Sequence, residues 1–137
     1  MTDPRTEAQR WLAQAENDLE FAEHGLRLGY NAQTCFLAQQ VGEKAVKAVH
    51  YLRGARVVLG HSVDGLLERL ADPTADALRP GATELDQFYV PTRYPNGLPG
   101  NVPYRAYTAE QASRALEAAR RIVDFARGQM SAGSDRA

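Results

Sequence analysis

Apolar residues recur in alternating steps of three and four from Leu12 through Ala15, Leu19 and Ala22 to Leu26. They do so again from Thr34 through Ala38, Val41, Ala45 and Ala48 to Leu52, with only a short turn around Gly29 between the two runs. A 3.6-residue period puts each set on one helix face, and two helices joined so closely must pack as an antiparallel hairpin. That hairpin constrains everything after it, because its apolar stripes need further helices to cover them. Asp3 followed by Pro4 marks the start of the first helix, expected to run to about Arg27. Asn31 is expected to cap the second helix and Gly54 to end it. The second helix buries a stripe of small residues, which lets a neighbour approach closely.

Downstream, Ser62 is placed to cap a short helix carrying Val63, Leu66, Leu67 and Leu70. Asp72-Pro73 opens a weaker segment toward Tyr89, interrupted by Pro80 and Gly81. The last helix has the clearest start, since Thr108 and Gln111 form a capping box ahead of Ala112, Leu116, Ala119, Val123 and Ala126. On its other face Glu110 and Arg114, and Glu117 and Arg121, stand four apart and read as solvated ion pairs. No repeat and no convincing strand is present. The expectation is an all-α fold, an up-and-down bundle of four to five helices, forming one domain over residues 1–130, with residues 131–137 a disordered tail.

The segment from Tyr89 to Tyr107, YVPTRYPNGLPGNVPYRAY, breaks the helical pattern. Prolines at 91, 95, 99 and 103 remove backbone donors and disfavour the helical conformation before them, so a long loop is expected ahead of the last helix. Four of the six tyrosines and two arginines fall in it. Such a loop in a small domain is functional or disordered, and this aromatic content argues for function.

The 137-residue chain carries 16 basic and 17 acidic residues, a net charge of −1, so no bulk field draws it to nucleic acid or anionic lipid and any polyanion contact must be local. A single cysteine, Cys35, excludes an internal disulfide, and its apolar neighbours Phe36 and Leu37 point to a buried thiol. No leader-like segment and no apolar run long enough for a membrane span occurs, which fits a cytoplasmic protein. Motifs for phosphate loops, dinucleotide turns, nucleophile elbows and paired metal-binding helices are missing, and His24 and His50 lack metal-ligand spacing.

A few polar residues need an explanation. Gln40, Glu43, Lys47 and Tyr51 share one line of the second helix, with Lys44 beside it. Glu43 and Lys47 have the spacing of an ordinary exposed salt bridge, and the solvated reading comes first unless that line faces the proline-rich loop. Trp11, Asp18 and Gly25 share a line of the first helix, so Asp18 stands either at the border of the core or in solvent. His61, ahead of the capping serine, can bond the local backbone or reach a ligand. Arg93, Tyr94 and Tyr89 offer a planar cation and stacking surfaces for an anionic, planar ligand. Arg93 has two readings, a ligand contact or an anchor that pairs with Glu43 or Asp18 and pins the loop.

In order along the chain, an aspartate in the first helix, FLAQQVGEKAVKA in the second, GHSVDGLLERL after it and then YVPTRYP resemble the HEPN-domain family of small prokaryotic helical proteins. The resemblance runs from about Ala8 to Arg127. It implies a bundle of four or five helices, usually a homodimer, with a link to nucleotides or RNA and often a nucleotidyltransferase partner in a toxin and antitoxin pair. It calls for no cofactor. Many members are metal-independent ribonucleases in which an arginine is followed four to six residues later by a histidine. Here Arg93 has no histidine after it, and the spacing occurs only from Arg56 to His61. The leading expectation is a nucleotide- or RNA-binding module using Arg93, Tyr94, Tyr89, Lys47, Lys44, Glu43, Gln40, Asp18 and His61. A ribonuclease using Arg56 and His61, and a structural oligomerising bundle, are the alternatives.

Overall fold

A computed structural model of the chain describes residues 3–135. Six α-helices are present among them: α1 (Pro4–Arg27), α2 (Asn31–Leu52), α3 (Val63–Leu70), α4 (Arg79–Asp86), the single turn α5 (Pro103–Ala106) and α6 (Ala109–Asp135). No strand occurs among the described residues, and no helix there is long and apolar enough to cross a membrane. Helical backbone in α6 continues to Asp135, into the stretch expected to be a disordered tail, while residues 136–137 of that tail lie outside the described residues.

Three of the six helices, α1, α3 and α6, start at a capping side chain. Asp3 accepts from the backbone N–H of Thr6, and Ser62 accepts from that of Gly65. Thr108 and Gln111 exchange bonds of 2.8 and 3.1 Å. Asn31 departs from expectation: Tyr30 occupies the cap of α2 without a side-chain bond, and the Asn31 amide instead donates to the Tyr107 carbonyl at 3.2 Å, tying the starts of α2 and α6 together. The weak segment after Asp72 divides into a 3-10 turn, Pro73–Leu78, and α4. Pro80 is tolerated because it lies in the first turn of α4, where its missing N–H has no partner to lose. Gly81 is required there for a different reason, since a Cβ would lie 3.0 Å from Cβ of Ala118 on α6.

The two first helices form the expected hairpin, and α6 closes it. Arg120 pairs with Glu23, Arg127 with Glu16, and Arg5 donates to the Met130 carbonyl, so α6 runs antiparallel to α1. It therefore runs parallel to α2, as the Asn31–Tyr107 and Arg53–Gln129 bonds at its two ends confirm. A parallel neighbour requires the chain to travel back along the bundle, and α3, α4 and the proline-rich segment make that return. Helix α2 becomes the central helix: Ala38, Val41, Ala45 and Val49 are buried, and α1, α3, α4 and α6 all pack on it. The small-residue stripe of α2 and the alanines of α6 are used up within this core, so they leave no surplus apolar face for a second copy. The charged face of α6 also differs from expectation. Arg114 pairs with Glu84 of α4, because the neighbouring helix offers a carboxylate that an isolated helix would not, and Glu117 lies 3.7 Å from Arg120 of the same helix rather than beside Arg121. Cys35 is buried, and burial pushes its thiol up to about 12, which leaves it protonated and unreactive in the fold.

One clamp joins α3 to α4. The Asp86 carboxylate accepts from Ser62 Oγ and Val63 N, both at 2.7 Å, and from Asp64 N at 3.2 Å. It satisfies the free N–H groups at the start of α3 from another helix and places negative charge at the positive end of that helix. Asp86→Asn is expected to lower stability by about 1–3 kcal/mol, since charge-assisted bonds become neutral and one acceptor becomes a donor. Urea titration of the two proteins measures it.

Candidate anion and base site

Three segments meet on one side of α2. The first is the polar line of the helix itself, the second is the loop that ends at His61, and the third is the wound turn that continues α4 from Gln87 to Arg93. Glu43 and Lys47 pair at 3.1 Å, and each residue is only 6% exposed. The solvated reading of this pair is overturned, and the cause is the central position of α2, which has no face fully open to water. Lys47 also lies 5.6 Å from the centre of the Trp11 ring, itself stacked on Tyr51. Its charge is engaged on both sides, so Lys47 is an internal anchor and not an open anion contact.

From Glu43 the contacts run outward. His61 Nδ1 stands 3.2 Å from Glu43 Oε1, and the buried amide of Gln39 donates to the His61 backbone carbonyl at 2.7 Å while accepting from Gln40. A carboxylate only accepts, so the tautomer that satisfies this contact carries its proton on Nδ1 and leaves Nε2 as an acceptor. The imidazole stacks on Tyr89 with centroids 5.1 Å apart. Asp86 fixes the next two residues after His61, and Tyr89 follows Asp86 by three positions, so the same clamp sets both rings.

Arg93 lies beyond Tyr89. Its Nε donates to the Tyr89 carbonyl at 2.8 Å, and its guanidinium carbon lies 4.5, 4.8 and 5.2 Å from the ring centres of Phe36, Tyr89 and Tyr94. Neither Glu43 nor Asp18 pairs with it, and among the described residues it has no ion pair, which corrects the anchor reading. Aromatic faces and one backbone carbonyl hold the cation in place, and the N–H groups of its two terminal nitrogens are left for an external acceptor.

Lys44 and Asp18 form a separate half-buried pair, with Gln14 donating to Asp18 at 2.9 Å. No hydrogen bond or ion pair joins them to Arg93 or His61 among the described residues. Arg56 is exposed, and no hydrogen bond or ion pair links it to His61. Sequence reasoning missed Gln39, Phe36 and Asp86. A glutamine between apolar positions of a helix this hydrophobic was a usable signal for Gln39. Phe36 carried none, since an aromatic beside a buried cysteine reads as core. No group of three or more His, Cys, Asp or Glu placed to hold a metal ion occurs among the described residues.

The family model for the HEPN domain covers residues 8–129, and the chain belongs to that family. It is 39% identical to the protein TT1696 from Thermus thermophilus, with a TM-score of 0.84, over 90% of this chain and 98% of that one. The archaeal HEPN homologue ST0689 is also 39% identical, with a TM-score of 0.76 and the same coverage. The protein named Putative toxin MJ1304, from Methanocaldococcus jannaschii, is 30% identical over 128 residues, 85% of this chain and 84% of its own length.

Proposed function

We propose that this HEPN protein is a toxin-type module that binds RNA or a nucleotide at Arg93, Tyr89, Tyr94 and His61, and that it works with a nucleotidyltransferase partner. The observation that carries the reading is Arg93: a guanidinium without a carboxylate, seated among three rings, suits a phosphate flanked by a base. The similarity to a protein named as a toxin supports the biological setting. Binding of labelled RNA or nucleotide, weakening as salt is raised, is the expected result, and no binding at low salt would defeat the reading.

A second reading, metal-independent RNA cleavage, is favoured by the His61–Glu43 pair. His61 Nε2 is able to take the proton of a ribose 2′-hydroxyl as its oxygen bonds the adjacent phosphorus and the 5′-oxygen leaves, protonated by water. In this version Arg93, which shares the Tyr89 ring with His61, replaces Arg56. Cleavage in excess chelator that is lost in His61→Ala supports this version, and intact RNA excludes it.

Self-association belongs to the same proposal. The small-residue stripe of α2 and the alanines of α6 are internal, but a groove of about 480 Å³ lies between the end of α1 and the start of α2, lined by Phe21, Leu28, Tyr30, Phe36 and Leu37. Phe21 and Leu28 are 71% and 74% exposed at this groove. Protruding side chains and a recess on one face allow two copies to seat each other about a two-fold axis. Sedimentation is expected to give twice the 15.1 kDa chain mass and to return to one chain in Phe21→Glu.

A further inference from the structure

The acid-free segment contains a second cation–aromatic pair. From Gln87 to Ala109 the chain has no Asp or Glu, although the whole protein is slightly acidic. Within that segment the Arg105 guanidinium lies 5.0 Å from the centre of the Tyr104 ring, and Tyr104 is 59% exposed. Between this pair and Arg93 is a hollow of about 500 Å³, lined by Phe36, Thr92, Arg93, Pro95, Pro103 and Tyr104 among others. Arg105, like Arg93, Arg5, Arg27, Arg56, Arg69 and Arg121, has no ion pair among the described residues, and what it shares with Arg93 in particular is a guanidinium set over an aromatic ring.

We propose that this hollow is a base-accepting subsite and that the ligand is a single-stranded oligonucleotide of at least two nucleotides. One base enters between Phe36 and Tyr104, and the phosphates on either side meet Arg93 and Arg105. The proposal rests on the reading of Arg93 as an RNA or nucleotide contact and adds to it a length and a strandedness. An apolar hollow with ring and proline walls accepts a flat, unstacked base, and the bases of a duplex are already stacked and paired. Arg93 lines the hollow and Arg105 stands against the Tyr104 ring, so two cations offer contacts for more than one phosphate and a mononucleotide uses only part of the surface. The hollow is pre-formed: a Cβ on Gly97 would lie 2.9 Å from Cα of Pro91, so the loop folds back tightly against itself. Thr92 reinforces the turn through its hydroxyl, which donates to the Phe88 carbonyl at 2.5 Å.

The test measures binding of fluorescein-labelled hexauridylate at fixed low salt. Competitors are uridine monophosphate, the 5′-phosphorylated dinucleotide pUpU, a blunt RNA duplex and poly-L-glutamate. The dinucleotide pUpU, with a phosphate on each side of its first base, is expected to compete about tenfold better than the monophosphate, and the duplex and poly-L-glutamate about tenfold worse than unlabelled hexauridylate. Tyr104→Ala and Arg105→Gln, both at exposed positions, are each expected to weaken hexauridylate about tenfold with unchanged melting temperature and unchanged affinity for the monophosphate. If both variants bind hexauridylate like the parent while Arg93→Lys does not, the subsite is wrong and the Arg93 reading survives. Equal competition by duplex or by poly-L-glutamate overturns the single-strand proposal, the latter in favour of an acidic protein partner. If neither hexauridylate nor the monophosphate binds, both readings fall together.

Discussion

Lys47→Ala is expected to destabilise the protein by about 3–5 kcal/mol, the usual result of leaving one member of a buried ion pair without the other. Glu43, 6% exposed in the parent, would keep only the His61 ring, 3.2 Å away, as a hydrogen-bond partner. The lysine stem also fills space beside Trp11, so its removal opens a cavity in addition. Replacing both partners with apolar residues of similar size, Glu43→Leu with Lys47→Met, is expected to recover the parent stability to within about 1 kcal/mol or to exceed it, because the desolvation of both charges disappears. The double variant would still lose the acceptor that orients His61. Stability restored with ligand binding impaired is therefore the diagnostic pattern, read from denaturant titration and RNA affinity on the same samples. A Lys47→Ala protein as stable as the parent would show that the pair is not buried in solution.

Arg93→Lys is expected to fold normally and to bind RNA or nucleotide at least about tenfold more weakly. Lysine retains the positive charge, so a purely electrostatic contact would survive the change. It loses the planar fork and the flat surface that lies 4.5 to 5.2 Å from three rings. The bond lost inside the protein is the exposed one from Nε to the Tyr89 carbonyl, so the melting temperature is expected to stay within about 2 °C of the parent. A clear drop in melting temperature with intact binding would instead make Arg93 a structural strut of the loop.

The helices were readable wherever their ends carry local chemistry. Asp3-Pro4, Ser62, the Thr108–Gln111 box and the glycines at 29 and 54 act within a few residues, and the structure uses each of them. What sequence periodicity does not encode is which helix becomes central. Glu43 and Lys47 look like surface residues because i,i+4 spacing is the same on an exposed and an enclosed helix, and only the packing of four neighbours on α2 distinguishes the two cases. Arg93 was recognisable as a cation among tyrosines, but its third ring, Phe36, comes from 57 positions earlier in the chain, and no local signal pairs them. Asp86 was overlooked for a similar reason, because it caps a helix to which it does not belong.

The parallel placement of α6 on α2 has a consequence for the order of synthesis. Every residue named for the site, from Phe36 to Arg105, precedes the first residue of α6, Ala109. A growing chain that has not yet passed that point holds all of these side chains, with the part of α2 that α6 covers still facing water. Association of Glu43, His61, Tyr89 and Arg93 depends on a bundle that the final helix completes. A ribosome stalled before α6, or a protease that trims it, yields a chain with the full set of contact residues and without the helix that completes the core beneath them.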